Sequence, residues 1–170
     1  SKLKIKNILN SIKKIKPIRG RLEKIGKINN KSKVILDYAH TPDALKTLIT
    51  NIKEEYPLSK ISLVFGCGGN RDKSKRSIMG NIASKYCDKV YLTDDNPRNE
   101  NANLIRKTLK KYCPKARNIA NRRMAIKTAI SEMHEKDILI IAGKGHEKYQ
   151  IIKNKNYKFD DFKVAKDFIK

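Results

Sequence analysis

Unbroken apolar runs recur along this chain, each closing on glycine or an acid, with helical stretches between them. Residues 34–36 read Val-Ile-Leu and stop at Asp37; residues 61–65 read Ile-Ser-Leu-Val-Phe and stop at Gly66. Residues 89–93 and 138–142 repeat the arrangement. A strand with one wet face alternates polar and apolar residues; these do not. Runs of this kind belong to a sheet covered by helices on both faces. The intervening segments are long enough for crossover helices, which impose parallel pairing and right-handed connections. The order is β-α-β-α-β-α-β-α-β, and the expected fold is α/β: an open, doubly wound, mostly parallel sheet with helices on both faces.

The helical stretches carry their own signals. Thr41-Pro42-Asp43 is a helix start, with Thr at the cap, Pro at the first position and an acid in the first turn. Ala44, Leu45, Leu48, Ile49 and Ile52 then share one face. Ile78, Met79, Ile82, Ala83 and Tyr86 mark a second helix, and Asn101 caps a third through Leu104, Ile105 and Leu109. A short strand near 117–120 precedes a helix with Ile126, Ile130 and Met133. Met79, Met124 and Met133 are read as packing. Residues 149–152 and 157–159 flank a hairpin turn, and a last helix covers 161–169. Before residue 31 the rhythm differs. Leu3, Ile5, Ile8, Ile12 and Ile15 are helically spaced, Pro17 stops them, and 22–28 looks strand-like. Residues 1–30 are expected to be the tail of a preceding domain and a linker, with 31–170 the domain proper.

The formal charge of +23 raises the question of a polyanionic partner. The lysines run from Lys2 to Lys170 among many Asn and Ile, a bias that AT-rich coding alone produces, and no RNA-binding aromatic motif interleaves with them. A solvated basic surface is the plainer reading. No run approaches the ~18 apolar residues of a membrane span, and Ser1-Lys2-Leu3-Lys4 lacks the apolar core of a secretory signal. Cys67, Cys87 and Cys113 are far apart with no C-x-x-C pair, which suits reduced thiols in a cytoplasm.

In open α/β sheets, ligands bind at the carboxyl ends of the strands. There the chain places Asp37-Tyr38-Ala39-His40, then Gly66-Cys67-Gly68-Gly69-Asn70-Arg71, then Asp94-Asp95-Asn96-Pro97-Arg98, then Gly143-Lys144-Gly145-His146-Glu147. Ordinary turns do not concentrate glycine, histidine and opposed charges on one edge. Gly66–Lys73 is not a P-loop, because Lys73 follows Asp72 rather than Gly. A glycine-rich turn there serves equally as an anion nest or as a tight bend. His40, His134 and His146 have no ligand at helical spacing, so no metal site is expected. Arg76 and Lys73 read as loop-solvating charges, and Asp94 as a turn residue.

The segments DYAHTPDAL, FGCGGNRDKSKRSIMG, TDDNPR and AGKGHEKYQ, in this order and spacing, resemble the C-terminal domain of the Mur ligases. The similarity runs from about Lys16 to Phe168 and includes Arg19-Gly20-Arg21-Leu22-Glu23 at the family's domain junction. It is strongest to the branch that joins meso-diaminopimelate to UDP-N-acetylmuramoyl-L-alanyl-D-glutamate with ATP and Mg²⁺, through an acyl phosphate. The resemblance implies a ligase domain of peptidoglycan precursor synthesis that supplies amino-acid recognition. It assigns Arg71, Asp95, Asn96, Pro97, Arg98, Gly143 and Glu147 to meso-diaminopimelate. Asp95-Asn96-Pro97-Arg98 is the signature: meso-diaminopimelate differs from lysine by one far carboxylate, which a planar guanidinium grips with paired N–H···O bonds. Arg21, Asp37 and His40 match positions near the nucleotide. The family's P-loop, Mg²⁺ ligands and UDP site lie in other domains, so this chain alone is expected to be an inactive monomer, with no nucleic-acid or membrane partner. Phe162 stands where an arginine is usual. A basic nucleic-acid-binding α/β domain is the alternative, and would retain DNA or RNA in a salt-dependent way independent of Arg98. A dinucleotide-binding enzyme is disfavoured, since no G-x-G-x-x-G follows the first strand.

Overall fold

Alternate residues of the central strands part to opposite faces of one sheet, and each face has its own core. Ile35, Leu63, Phe65, Ile138 and Ile140 pack on one side; Val34, Leu36, Val64, Leu139 and Ile141 pack on the other. This is why the runs are apolar throughout. The computed structural model describes residues 5–13, 18–28 and 31–169. Leu3, Ile15, Pro17 and the turn residues Asn29 and Asn30 lie outside the described residues.

The elements are α1 (Ile5–Lys13), β1 (Glu23–Ile28), β2 (Ser32–Asp37), α2 (Pro42–Glu55), β3 (Ile61–Phe65), α3 (Ser74–Tyr86), β4 (Lys89–Leu92) and α4 (Ala102–Tyr112). They continue as β5 (Arg117–Asn118), α5 (Arg122–Ser131), β6 (Ile138–Ala142), the hairpin β7 (Tyr149–Ile152) and β8 (Lys155–Lys158), and α6 (Asp161–Phe168). The six-stranded sheet has the order β1-β2-β6-β3-β4-β5. β2, β6, β3, β4 and β5 are parallel, and β1 pairs antiparallel with β2 at the edge. The expected doubly wound α/β sheet is what forms.

The strand order determines where the helices go. The chain steps outward from β2 to β3, β4 and β5, then returns to insert β6 between β2 and β3. Right-handed crossovers moving in one direction lie on one face, and the return lies on the other. Accordingly α2, α3 and α4 cover the first core, and α5 and α6 the second. Connections leave β6 and its neighbours β2 and β3 toward opposite faces, which opens a crevice at their carboxyl ends.

Local chemistry follows the reading at several helix starts. The Thr41 hydroxyl accepts the Ala44 amide at 3.3 Å, and the Asn101 side chain accepts the amides of Asn103 and Leu104. Other expectations change. Ala44 is exposed, as are Ile78, Leu104 and Met124, so only Met79 of the three methionines is fully buried. α5 ends at Ser131, which leaves Met133 beyond it and places exposed His134 in the following turn rather than on a helix. β1 completes the sheet, so the division drawn at residue 30 cuts a paired hairpin.

Candidate functional site

Loops after β2, β3, β4 and β6 meet at the carboxyl edge around a cavity of about 520 Å³. His40 lines it from the first loop, Arg71 from the second, Asp95, Asn96 and Arg98 from the third, and Gly143 and Glu147 from the fourth. Residues separated by up to 109 positions (38 to 147) thus face one space. Pro97 is not part of this lining. It is buried, and a Cβ on Gly69 would run into its carbonyl, so it carries the close approach of the second and third loops.

Arg98 is held from both ends. Its backbone has φ +50°, a left-handed conformation uncommon for a residue with a side chain. That geometry is fastened by the hairpin: the Arg98 amide donates to the Ile151 carbonyl at 3.0 Å, and the Lys153 amide donates to the Arg98 carbonyl at 2.7 Å. Its Nη1 donates to the carbonyl of Gly69 at 3.0 Å and to that of Asn96 at 3.4 Å. The guanidinium therefore faces the cavity as a braced cation with further donors. Arg71 is exposed beside it.

The same cavity is lined by an acidic and amide cluster. Asp95 and Asn96 are 9% and 3% exposed. The Asp95 carboxylate accepts its neighbour's amide, Asn96 N, at 2.6 Å. Gly143, at φ +108°, brings the fourth loop against this carboxylate, and a Cβ there would lie 3.0 Å from Asp95 Oδ2. Asn96 Nδ2 donates to Glu147 Oε2 at 2.9 Å. Burial alone would raise the Glu147 carboxyl. The hydrogen bonds from Asn96 and Lys144 and the charges of Lys144 and Arg98 outweigh it and hold the group below the usual glutamate range. A cavity lined by both a guanidinium and an ionised carboxylate suits a ligand bearing both a carboxylate and an ammonium.

The residues read as nucleotide-facing divide. His40 lines the cavity; its Nδ1 lies 2.9 Å from the Tyr38 carbonyl, and its ring packs edge-on against Tyr38 at 4.5 Å between centroids. His146 stacks on the same tyrosine at 5.4 Å, and the Arg21 guanidinium lies 5.7 Å from its ring. Asp37 is outside the lining, and its oxygens accept the amides of Leu22 at 2.8 Å and Ala39 at 2.7 Å. Asp37 thereby fastens the segment before β1 to the end of β2. Phe162 is half-buried against the second core, with the Arg19 guanidinium 5.4 Å from its ring.

Several supporting residues were invisible to the sequence reading. Arg76 does not solvate a loop: it is 4% exposed and paired with Glu100. Asp94 is not a simple turn residue, since Oδ1 accepts from Arg106 Nη1, while Arg106 Nε reaches Asn118 Oδ1 at 2.8 Å. Lys144 is fully buried between Asn96 and Glu147. Arg122 ties the β6 end at Ala142 to Asp161 beneath the site. Arginines on otherwise apolar helix faces were the available signal.

The family pattern described as "Mur ligase, glutamate ligase domain" matches residues 20–145, most of the chain. The chain belongs to the Mur ligase family. Among curated Mur ligases, the UDP-N-acetylmuramoyl-L-alanyl-D-glutamate–2,6-diaminopimelate ligase of Rickettsia montanensis is 47% identical over 167 residues, spanning 96% of this chain and 34% of that protein. The protein of the same name from Buchnera aphidicola (subsp. Baizongia pistaciae) is 49% identical over 168 residues, 97% of this chain and 33% of that one. A solved structure bearing that name superimposes with a TM-score of 0.81 at 34% identity, covering 98% of this chain and 34% of the other. The UDP-N-acetylmuramate–alanine ligase of Thermotoga maritima shares the fold at 18% identity and a TM-score of 0.63. The chain spans about a third of the length of these relatives. These similarities lend no support to the nucleic-acid reading of the basic charge. Among the described residues, no helix is long and apolar enough to cross a membrane.

Proposed function

We propose that this chain is the amino-acid-recognising domain of an ATP-dependent amide-bond ligase that adds meso-diaminopimelate to UDP-N-acetylmuramoyl-L-alanyl-D-glutamate. The observation that carries the reading is one cavity lined by the cations Arg98 and Arg71 together with Asp95, Asn96 and Glu147. Arg98 is braced by two carbonyls and offers its remaining N–H donors to a far carboxylate. Glu147 takes the far ammonium, and Gly143 keeps the floor clear. With both groups of the far end held, the near amine is left free to attack an acyl phosphate formed on the D-glutamyl side chain. Lysine lacks the far carboxylate and would leave the remaining N–H donors of Arg98 without that partner, a difference of roughly 1.5–3 kcal/mol.

Among the described residues, no three His, Cys, Asp or Glu side chains gather to hold a metal ion, and the sequence has no P-loop. By the family resemblance, ATP and Mg²⁺ are assigned mainly to a part of the enzyme other than this chain, and no step here runs through the metal. Arg21 and His40, on the Tyr38 side of the cavity, are placed to meet the nucleotide at the domain boundary. Residues 1–30 are assigned to the tail of that part and the linker, with β1 paired onto the sheet of this domain.

The test is an NMR titration of the 170-residue chain with meso-diaminopimelate and with L-lysine. Shifts at Arg71, Asn96 and Glu147 are expected with meso-diaminopimelate at concentrations about tenfold below those needed for lysine. Arg98→Lys should erase most of that difference. Equal response to the two amino acids would overturn the substrate assignment, and ATP turnover by the chain alone would overturn the division of labour.

A further inference from the structure

Lys144 is 0% exposed, an unusual place for an ammonium. Its Nζ donates to Asn96 Oδ1 at 3.0 Å and to Glu147 Oε2 at 3.0 Å, and lies 5.9 Å from the Tyr149 ring. Asn96 completes a closed set: its Oδ1 also accepts the Ile151 amide at 3.0 Å, while its Nδ2 donates to the same Glu147 oxygen at 2.9 Å. Glu147 Oε2 thus receives two donors. Its Oε1 has no partner among the described residues, and the side chain is 21% exposed where it lines the cavity.

Packing alone does not call for lysine here. A methionine or leucine fills such a volume without the desolvation an ammonium incurs. What the lysine adds is a fixed positive charge behind Glu147. The other charged groups around this cavity are Arg98, Arg71, Lys75, Asp72 and Asp95 on its lining, with Arg122 beneath β6. Without Lys144, Glu147 would lose the one cation that hydrogen-bonds it among the described residues.

We propose that Lys144 is a positioning and specificity-determining residue, which pins Glu147 by one oxygen so that the other is presented, ionised, to the ammonium of the incoming amino acid. The proposal rests on the diaminopimelate reading above and extends it: recognition is divided between two cations with different tasks. Arg98 reads the carboxylate directly. Lys144 touches no ligand and reads the ammonium through Glu147. Because the lysine already balances Glu147, the pair rewards an ammonium by hydrogen-bond direction more than by bare charge, so an inorganic cation gains little there.

The experiment uses the 170-residue chain, labelled with carboxyl-¹³C glutamate, as wild type, Lys144→Met and Lys144→Arg. Two readouts are taken: the titration midpoint of Glu147, and NMR affinities for meso-diaminopimelate, 2-aminopimelate (the same skeleton without one ammonium) and L-lysine. In Lys144→Met the Glu147 midpoint should move up, and the preference for meso-diaminopimelate over 2-aminopimelate should fall by about tenfold. The preference over L-lysine, set by Arg98, should persist, and Lys144→Arg should retain part of both. A general loosening of the site would lower both preferences together and leave the proposal overturned, as would an unmoved midpoint. If Lys144→Met fails to fold, the wild-type midpoint decides: below the ordinary glutamate range supports the proposal, at or above it sinks it. Should the wild type bind none of the amino acids, the substrate reading falls, and the Glu147 midpoints still judge the lysine.

Discussion

Arg76 Nη2 lies 3.0 Å from each carboxylate oxygen of Glu100, with the arginine side chain 5% exposed. The same nitrogen reaches the Gly68 carbonyl at 3.3 Å, and Glu100 Oε1 accepts the Asn70 amide at 2.5 Å. One ion pair therefore clasps the loop that carries Arg71 to the loop that carries Arg98. The clasp is reinforced by the Gly69 amide on the Asn96 carbonyl at 2.9 Å and the Asn99 amide on Asn70 Oδ1 at 3.1 Å.

Glu100→Ala should cost roughly 2–4 kcal/mol in urea unfolding, because it strands a buried guanidinium. Burial opposes ionisation of Glu100, but the Asn70 amide and Arg76 prevail and hold its carboxyl below the usual range. A depressed folded value stabilises above the unfolded value and loses that effect as pH falls through the folded one. The stability gap between wild type and Glu100→Gln should accordingly be full at neutral pH and narrow under acid. A gap independent of pH would refute this account of the pair.

Arg98 occupies a left-handed backbone at φ +50°. Glycine adopts that region freely, whereas alanine carries a penalty of about 1 kcal/mol. Arg98→Gly should therefore be more stable than Arg98→Ala by about that amount in paired melts, although both lose the same side chain. The reverse order would mean the loop relaxes out of this conformation.

Arg122 and Asp161 form an ion pair whose side chains are both 0% exposed, with Nε–Oδ1 and Nη2–Oδ2 distances of 2.8 and 2.7 Å. Arg122 Nη1 has no partner, so the pair is incompletely satisfied. Arg122→Met should cost about 3–5 kcal/mol by leaving a buried carboxylate alone. Arg122→Met with Asp161→Leu should recover most of it in denaturant melts. Recovery that fails would locate the cost in the lost Ala142 contact rather than in unpaired charge.

Burial pushes the thiols of Cys67 and Cys87 up to about 12, and raises Cys113 as well. Thiolate is the reactive form. In the native chain at pH 8, all three cysteines should react with a disulfide reagent far more slowly than in urea. Rapid native labelling of Cys67 would show that the cavity floor opens.

Much of the site was legible because its residues are chemically unusual for turns. Arg71, Asp95, Asn96, Arg98, Gly143 and Glu147 stand at strand ends, and strand ends of a doubly wound sheet converge. What stayed hidden was the layer beneath. Arg76, Arg106, Arg122 and Lys144 look like surface charges in a lysine-rich chain, and whether each is buried depends on a partner 12 to 48 residues away. Helix faces blurred for a related reason. Ala44, Ile78, Leu104 and Met124 fit the apolar spacing, yet sit at the margin of a stripe whose width the neighbouring element decides.

Local sequence by itself determined the elements: unbroken apolar runs, period-3.6 patterns, a Thr-Pro helix start and Asn caps are satisfied within a few residues, so no distant contact is needed to read them. Only the tertiary structure decided that β6 inserts between β2 and β3, and hence which loops share a cavity. It also decided which cations are buried under that cavity, because the cost of burying a charge is set by partners that the fold brings from elsewhere in the chain.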